Sequence, residues 1–186
     1  MEILDAAWEV ARQDSLAGLT LRQVADRVGM QPPSLYSHFA SKNAIYDAMF
    51  EQAWRNLLEQ VPSWIEQLPN PPRARLIKVA ELYFDFAVAD LARHQLMNVN
   101  IIPNFEPSPQ AYAASLEAYS MMRTYLPLSD QDDIDIYTAL VSGLGAQQLA
   151  NDPGGQRWRR LIPRVMTMFA DDLGLPRNEP SPPESS

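Results

Sequence analysis

The chain has 186 residues, 46% of them hydrophobic, no cysteine and a formal net charge of −8. That is enough chain for a small domain plus a larger one with a real core, and the missing cysteines exclude disulfides, thiolate nucleophiles and cysteine-held zinc. No apolar run approaches the ~18 residues of a membrane span and no charged leader with a cleavage pattern opens the chain, so a cytoplasmic protein without a membrane partner is expected.

Thr20 followed three residues later by Gln23 reads as a capping box, each side chain satisfying an otherwise unpaired backbone N–H. Leu21, Val24, Ala25 and Val28 then recur at helical spacing, which leaves Arg22, Gln23, Asp26 and Arg27 pointing elsewhere. Gly29 closes this helix, since glycine accepts the left-handed backbone of a tight helix end. Pro33 fits the first turn of a second helix, where its missing N–H costs nothing, and Leu35 with Phe39 supplies the inward contact. Ser34, Ser37 and His38 lie on the opposite side, and such small or polar groups can approach base edges and phosphates in a major groove. Ser41 reads as the N-cap of a long following helix with Lys42 in its first turn, where the dipole and free N–H groups favour anions.

Two short amphipathic helices around a glycine also occur in ordinary helical cores. Here the outer positions of the second helix carry no large apolar residue except Tyr36, which a purely structural helix has little reason to arrange. Charge is local as well. Residues 1–60 set five cations against eight carboxylates, a net −3, whereas residues 20–42 set Arg22, Arg27 and Lys42 against Asp26, a net +2. A few phosphate contacts per subunit, in two subunits, are expected to carry any DNA affinity.

The long helix from Ser41 is expected to end at Pro62, and Pro69, Pro71 and Pro72 mark an internal boundary, with Asn70 and Pro71 as N-cap and N1 of the next helix. Residues 73–91 are apolar nearly all round, so that helix should be buried. A further apolar segment runs from Leu96 to Ile102, and Ser108-Pro109 restarts a helix that reaches Leu126. Ser129 with Asp132 should cap the helix that carries Ile134, Tyr137, Val141 and Leu144. Gly154-Gly155 should start the last helix, kinked at Pro163, with Arg157, Arg159, Arg160 and Arg164 as a solvated face. Residues 176–186, rich in proline and serine, are expected to be disordered.

Ile3-Leu4-Asp5-Ala6-Ala7, Thr20-Leu21-Arg22-Gln23-Val24-Ala25 and Leu35-Tyr36-Ser37-His38-Phe39 with Ser41-Lys42 make the first quarter of the chain resemble the tetracycline-repressor (TetR/AcrR) family of transcriptional regulators. The remainder resembles it only in length and helical pattern. The resemblance implies an all-α fold of about nine helices, with a three-helix, helix-turn-helix DNA-binding domain over residues 1–47 and a larger effector-binding and dimerisation domain over 48–175. It implies that Thr20 and Arg22 touch the DNA backbone or adjacent bases, that Gln31, Pro32, Pro33, Ser34 and Ser37 face the bases, and that Tyr36, His38 and Lys42 hold phosphates. The last two helices would meet the same pair of a second subunit, using Ala139, Gly143, Ala146, Trp158, Ile162, Val165 and Phe169. Trp54, Trp64, Tyr83, Phe86, Met97, Phe105, Tyr119, Met122 and Tyr137 are candidate linings of an effector pocket, although such residues more often simply fill core. Glu81, Asp85, Asp90, His94 and Glu117 are its candidate polar handles, His94 being the more ordinary surface or hydrogen-bonded core histidine.

Three features depart from the family pattern. Ser15 stands where a glycine is common, Pro32 replaces a side chain able to hydrogen-bond a base, and the chain begins almost inside the first helix. With two histidines, no His-Glu-x-x-His and no glycine-rich phosphate loop, no catalytic residue, metal or cofactor is expected. The expected function is a ligand-responsive regulator, a repressor released from a palindromic operator by a small apolar or aromatic effector. The alternative is a dimeric helical small-molecule-binding module that does not read DNA.

Overall fold

The computed structural model describes residues 3–177. They form nine α-helices and a 3-10 turn (Arg159–Leu161), with no strand among the described residues: α1 (Ile3–Gly18), α2 (Leu21–Val28), α3 (Pro32–His38), α4 (Lys42–Ile65), α5 (Pro72–Val88), α6 (Leu91–Asn98), α7 (Pro109–Tyr125), α8 (Gln131–Asn151) and α9 (Ile162–Asp172). The all-helical architecture is the expected one. None of these helices is long and apolar enough to cross a membrane. Two compact units divide the chain, one holding residues up to Pro62 with Phe86–Met122, the other Ser63–Asp85 with the chain from Arg123 on.

In the first unit, Ala6, Ala7, Val10 and Leu16 of α1, Leu19, Val24 and Ala25 of the α2 region, Leu35 of α3 and Ile45 and Met49 of α4 are buried together as the apolar faces of short helices. Tyr46 is buried among them and its hydroxyl donates to the Leu16 carbonyl. Gly29 adopts φ 70° and the Met30 N–H reaches back 2.9 Å to the Ala25 carbonyl, the glycine-closed helix end that the sequence predicts. Only half of the predicted capping box forms. Thr20 Oγ1 accepts the Gln23 N–H at 3.2 Å, but the Gln23 side chain is engaged instead by the Thr20 hydroxyl, which donates to its Oε1, and by Asp14 Oδ2, which accepts from its Nε2 at 2.7 Å.

Ser15 interrupts α1. Its φ of 71° with ψ 162° lies where a Cβ is crowded and glycine is favoured, and its hydroxyl accepts the Gly18 N–H at 3.3 Å, recovering part of the cost. α4 runs three residues past Pro62, where a stop was expected. The proline lies in the last turn, so it forfeits a single bond to the Leu58 carbonyl near a helix end that lacks partners in any case.

Ser108 caps α7 as expected, its Oγ accepting the Ala111 N–H at 3.2 Å, while its own N–H and hydroxyl donate to Asp47 of α4 at 2.6 and 2.7 Å. Asp90 caps α6 and also receives Arg12 of α1 at 2.8 Å. His94, one turn into α6, is 2% exposed and neither ring nitrogen has a hydrogen-bond partner. Burial alone pushes its pKa below the ordinary 6.5.

In the second unit, α5 opens at Pro72, one residue later than predicted, with the Pro71 carbonyl accepting the Arg75 N–H at 3.0 Å. The capping box of α8 is Asp130 with Asp133, again one residue later, because Asp133 Oδ2 takes the Ser129 and Asp130 N–H groups together. The last helix starts at Ile162 and is not kinked: Pro163 occupies its first turn, where no N–H is needed, and Gly154-Gly155 belong to the preceding loop. Buried Arg73 of α5 holds the end of α9, donating to Asp171 at 2.7 Å and to the Thr167, Leu175 and Pro176 carbonyls. The tail expected to be disordered lies outside the described residues except for Pro176 and Arg177.

Two stability measurements follow. Ser15→Gly should raise the urea midpoint by relieving about 1 kcal/mol of positive-φ strain, and an unchanged or lower midpoint refutes the strain assignment. A histidine kept neutral by burial contributes stability above its unfolded pKa of 6.5 and loses it on acidification, since the unfolded chain then takes up a proton that the folded one refuses. Wild type should therefore lose more stability than His94→Leu as pH falls below 6.5, and equal pH slopes would contradict the assignment.

Candidate nucleic-acid interface

α2, the Gly29 turn and α3 place two helix faces in opposite roles. Leu35, fully buried, is the one inward residue of α3, while Pro33, Ser34, Tyr36, Ser37 and His38 are exposed and Pro32 is half-buried. Tyr36 is 55% exposed with its ring outward, an arrangement that costs apolar solvation unless something meets it. Gln31 precedes α3 in an extended conformation, exposed, and its side chain makes no capping bond, so its amide is available to a ligand. Ser37 Oγ donates to the Ser34 carbonyl at 2.6 Å, which leaves that oxygen's acceptor capacity facing solvent.

The cations of this region divide into two groups. Arg27 is committed to α1, donating to Glu9 and Gln13 at 2.6 Å each. Arg22 is highly exposed and only loosely associated with Asp26, 3.9 Å away, so it is available for an external anion. Lys42 lies between these cases: Nζ donates to the Ala17 carbonyl at 2.9 Å and sits 5.3 Å from the Tyr46 ring centre, which occupies one of its three N–H groups. Ser41 Oγ accepts the Ala44 N–H at 3.1 Å and so caps α4 as predicted. Thr20, also exposed, spends its hydroxyl on the α2 cap, so contact with DNA there would have to share that oxygen. Thr20, Arg22, Gln31, Ser34, Tyr36, Ser37 and His38 are all exposed, and Pro32 and Lys42 are half-buried.

The residues proposed to line a pocket fall in both units. In the first unit, Trp54 and Tyr119 have ring centres 6.5 Å apart, and the buried Trp54 Nε1 has no hydrogen-bond partner. Phe105 instead stacks edge-on to Tyr46, 5.5 Å away, as part of the packing of α4, and Phe86 carries the Arg93 guanidinium 3.8 Å above its ring. Met97 and Met122 are half-buried. In the second unit, Tyr137 is buried with its hydroxyl unpartnered, and burial first, then Tyr83, push its pKa strongly up. Trp64 and Tyr83 are half-buried there. Of the polar handles, Asp85 pairs with Arg159 at 2.7 Å, Asp90 with Arg12, and Glu117 with Arg55 at 3.1 Å, all structural engagements. His94 is the exception, buried with two idle nitrogens where a surface or hydrogen-bonded position was expected; periodicity cannot show which buried polar atoms lack partners.

Of the residues assigned to a subunit interface, Ala139 and Gly143 are exposed, Ala146, Trp158 and Val165 are half-buried, and Ile162 and Phe169 are sealed within the chain, Phe169 against Tyr137. The last two are therefore core residues of the second unit and not surface residues.

Residues 3–49 match the family model described as bacterial regulatory proteins, tetR family. The chain is 30% identical over 112 residues to the HTH-type transcriptional activator FasR of Mycolicibacterium smegmatis, a match covering 60% of this chain and 49% of that protein. It is 41% identical over 49 residues to the tetracycline repressor protein class A of Escherichia coli, covering 26% of this chain and 23% of that one. The chain thus spans about half the length, or less, of these curated relatives. A structure from Rhodococcus sp. RHA1 superposes with a TM-score of 0.76 at 22% identity, covering 94% of this chain and 93% of that one. The regulator FadR of Bacillus subtilis, in complex with stearoyl-CoA, superposes with a TM-score of 0.68 at 14% identity, covering 90% and 95%. At such identities the superpositions establish the fold. The family model thus falls on the helices that expose α3, so residues 3–49 are similar to the tetR family of bacterial regulatory proteins, and the described chain shares the fold of the superposed structures.

Proposed function

We propose that the chain is a cytoplasmic, ligand-responsive transcriptional regulator that reads a palindromic operator as a homodimer and is released from it by an apolar or aromatic effector. The observation that carries this reading is α3, whose outward side chains are all available while Leu35 alone fastens it. Residues 1–47 act as the reader and 48–175 as the effector and dimer domain. Ser34, Ser37, Gln31, Pro32 and Pro33 meet base edges, Pro32 and Pro33 through apolar contact of the kind a thymine methyl offers. Arg22, Tyr36, His38 and Lys42 hold phosphates and set the docking angle, with Thr20 beside them.

The effector reading is supported by Trp54 Nε1 and Tyr137 OH, buried donors without partners among the predicted lining residues. An unpaired buried donor costs about 1–3 kcal/mol, which an acceptor on a ligand removes. FadR's complex with stearoyl-CoA supports a ligand with a large apolar part. Effector and DNA then oppose each other by favouring different separations of the two readers, which must stand about 34–36 Å apart to enter successive major grooves. Coupling of this kind is reciprocal and typically about 1–3 kcal/mol. Because FasR is described as an activator, activation is the second mode to be tested on the same operator.

Selection of bound DNA from a random library should return a two-fold symmetric site, and failure to enrich any sequence favours the helical binding module that does not read DNA. On the selected site, Lys42→Ala should weaken all sequences alike and lower the salt slope by about one, whereas Ser34→Ala and Ser37→Ala should change base preference. An unaltered slope would make Lys42 a purely structural link to Ala17. Leu35→Ala should cost about 2–5 kcal/mol of stability and abolish specific binding, and retention of specificity would disprove the anchoring role.

A further inference from the structure

Among the described residues, Ser15 and Asn104 are the two non-glycine positions with φ in the left-handed half of the map, at 71° and 58°. They lie far apart in the chain, one in α1 and one between α6 and α7, yet the first two turns of α4 hold both segments. Lys42 and Tyr46, one turn apart, reach the end of α1. Lys42 Nζ donates to the Ala17 carbonyl at 2.9 Å and the Tyr46 hydroxyl to the Leu16 carbonyl, so the two residues that follow Ser15 are each fastened to α4. Asn43 and Asp47 form the neighbouring ridge. Asn43 Nδ2 donates to the Asn104 carbonyl at 3.2 Å, and Asp47 accepts the Ser108 N–H at 2.6 Å and its hydroxyl at 2.7 Å. Phe105, between those anchors, packs edge-on to the Tyr46 ring, 5.5 Å between centres. Tyr46 thus serves both contacts, its hydroxyl in the α1 turn and its ring against the loop.

The backbone of Ser15, at φ 71° and ψ 162°, is crowded by its own Cβ, and such a conformation persists only where its surroundings over-determine it. The bond from the Gly18 N–H to Ser15 Oγ is local and does not tie the turn to another element. Lys42 reaches Ala17 on a long flexible stem, whereas Tyr46 is fully buried with its ring packed against Phe105. The firm hold on the turn is therefore the tyrosine hydroxyl. What depends on it is the reader: Leu16 and Leu19 are fully buried in the same core as Leu35, and Thr20 caps α2 immediately afterwards, with Arg22 in its first turn. A relaxed turn would move the floor beneath α3 and the start of α2 together. Base edges are read by groups held to within about 0.5 Å, while attraction to phosphates tolerates larger errors.

We propose that Tyr46, backed by Phe105, is a positioning residue for DNA reading: its hydroxyl locks the strained Ser15 turn and thereby sets how α2 and α3 meet the groove. It touches no nucleotide itself, being sealed inside the unit. The inference rests on the DNA-reading function proposed above.

The test uses the full chain and the site selected from the random library, with each variant shown to be folded by circular dichroism. Tyr46→Phe keeps the ring and its contact with Phe105 and removes only the hydroxyl. It should bind the selected site at least about tenfold more weakly than wild type while its affinity for unrelated DNA stays within about twofold. A hydroxyl that is merely structural lowers the urea midpoint and leaves the ratio of specific to non-specific affinity unchanged, and that result overturns the proposal. Glycine accepts the Ser15 backbone without strain, so Tyr46→Phe combined with Ser15→Gly should return to within about threefold of wild type on the selected site. A double variant as weak as Tyr46→Phe alone rules out the turn as the route. Phe105→Leu should lower the ratio in the wild-type background and add nothing to Tyr46→Phe, because both act through one hydroxyl; additive losses remove Phe105 from the role. A wild type that enriches no sequence overturns the DNA-reading function and this role with it, whereas Tyr46→Phe reading the site as well as wild type sinks the positioning role alone.

Discussion

Leu35 is the side chain on which the reader depends. α3 spans seven residues, too few to be stable alone, and Leu35 is its one fully buried member. It enters a core built from Ala6, Ala7, Leu16, Leu19, Val24, Ala25, Ile45 and Met49, mostly small or branched groups that bring short helices close together. The left-handed Gly29 turn then fixes the angle between α2 and α3, and Ser41 starts α4 immediately beyond. With the inner face settled by packing, the outer face of α3 is free of structural duty.

Electrostatics around that core distinguish structural cations from available ones. Arg12 and Arg27 bind carboxylates of their own unit, and Arg73 and Arg159 do the same in the other. Arg22 is weakly engaged and Lys42 keeps two N–H groups beyond its bond to Ala17. A chain of net charge −8 can therefore still present a small positive reading surface, because long-range repulsion is screened over about 10 Å while short contacts are not.

The unsatisfied groups are concentrated elsewhere. Trp54 Nε1, both nitrogens of His94 and Tyr137 OH are buried without partners, each at a cost that a core selected only for stability would avoid. Three of the four carboxylates that might have served beside them, Asp85, Asp90 and Glu117, are spent on arginines, which narrows the polar chemistry these regions offer.

Much of the fold was legible in the order of residues: the Thr20 cap, the Gly29 turn, Leu35 as inward contact, the Ser108 start of α7 and the all-helical character each follow from local backbone chemistry acting over three or four positions. Errors at Pro62, Pro163 and Asp132 have a common origin, since a proline or an acidic cap is tolerated or shifted by a residue according to which neighbours pair, and sequence spacing does not record that. What tertiary structure alone decided is which side chains are already spoken for. Ile162 and Phe169 share an apolar pattern with their exposed neighbours yet are sealed inside, Lys42 bends back to Ala17, and His94 is left without a partner. Periodicity assigns a face to each residue, but burial and pairing depend on elements distant in the chain, and only their packing determines them.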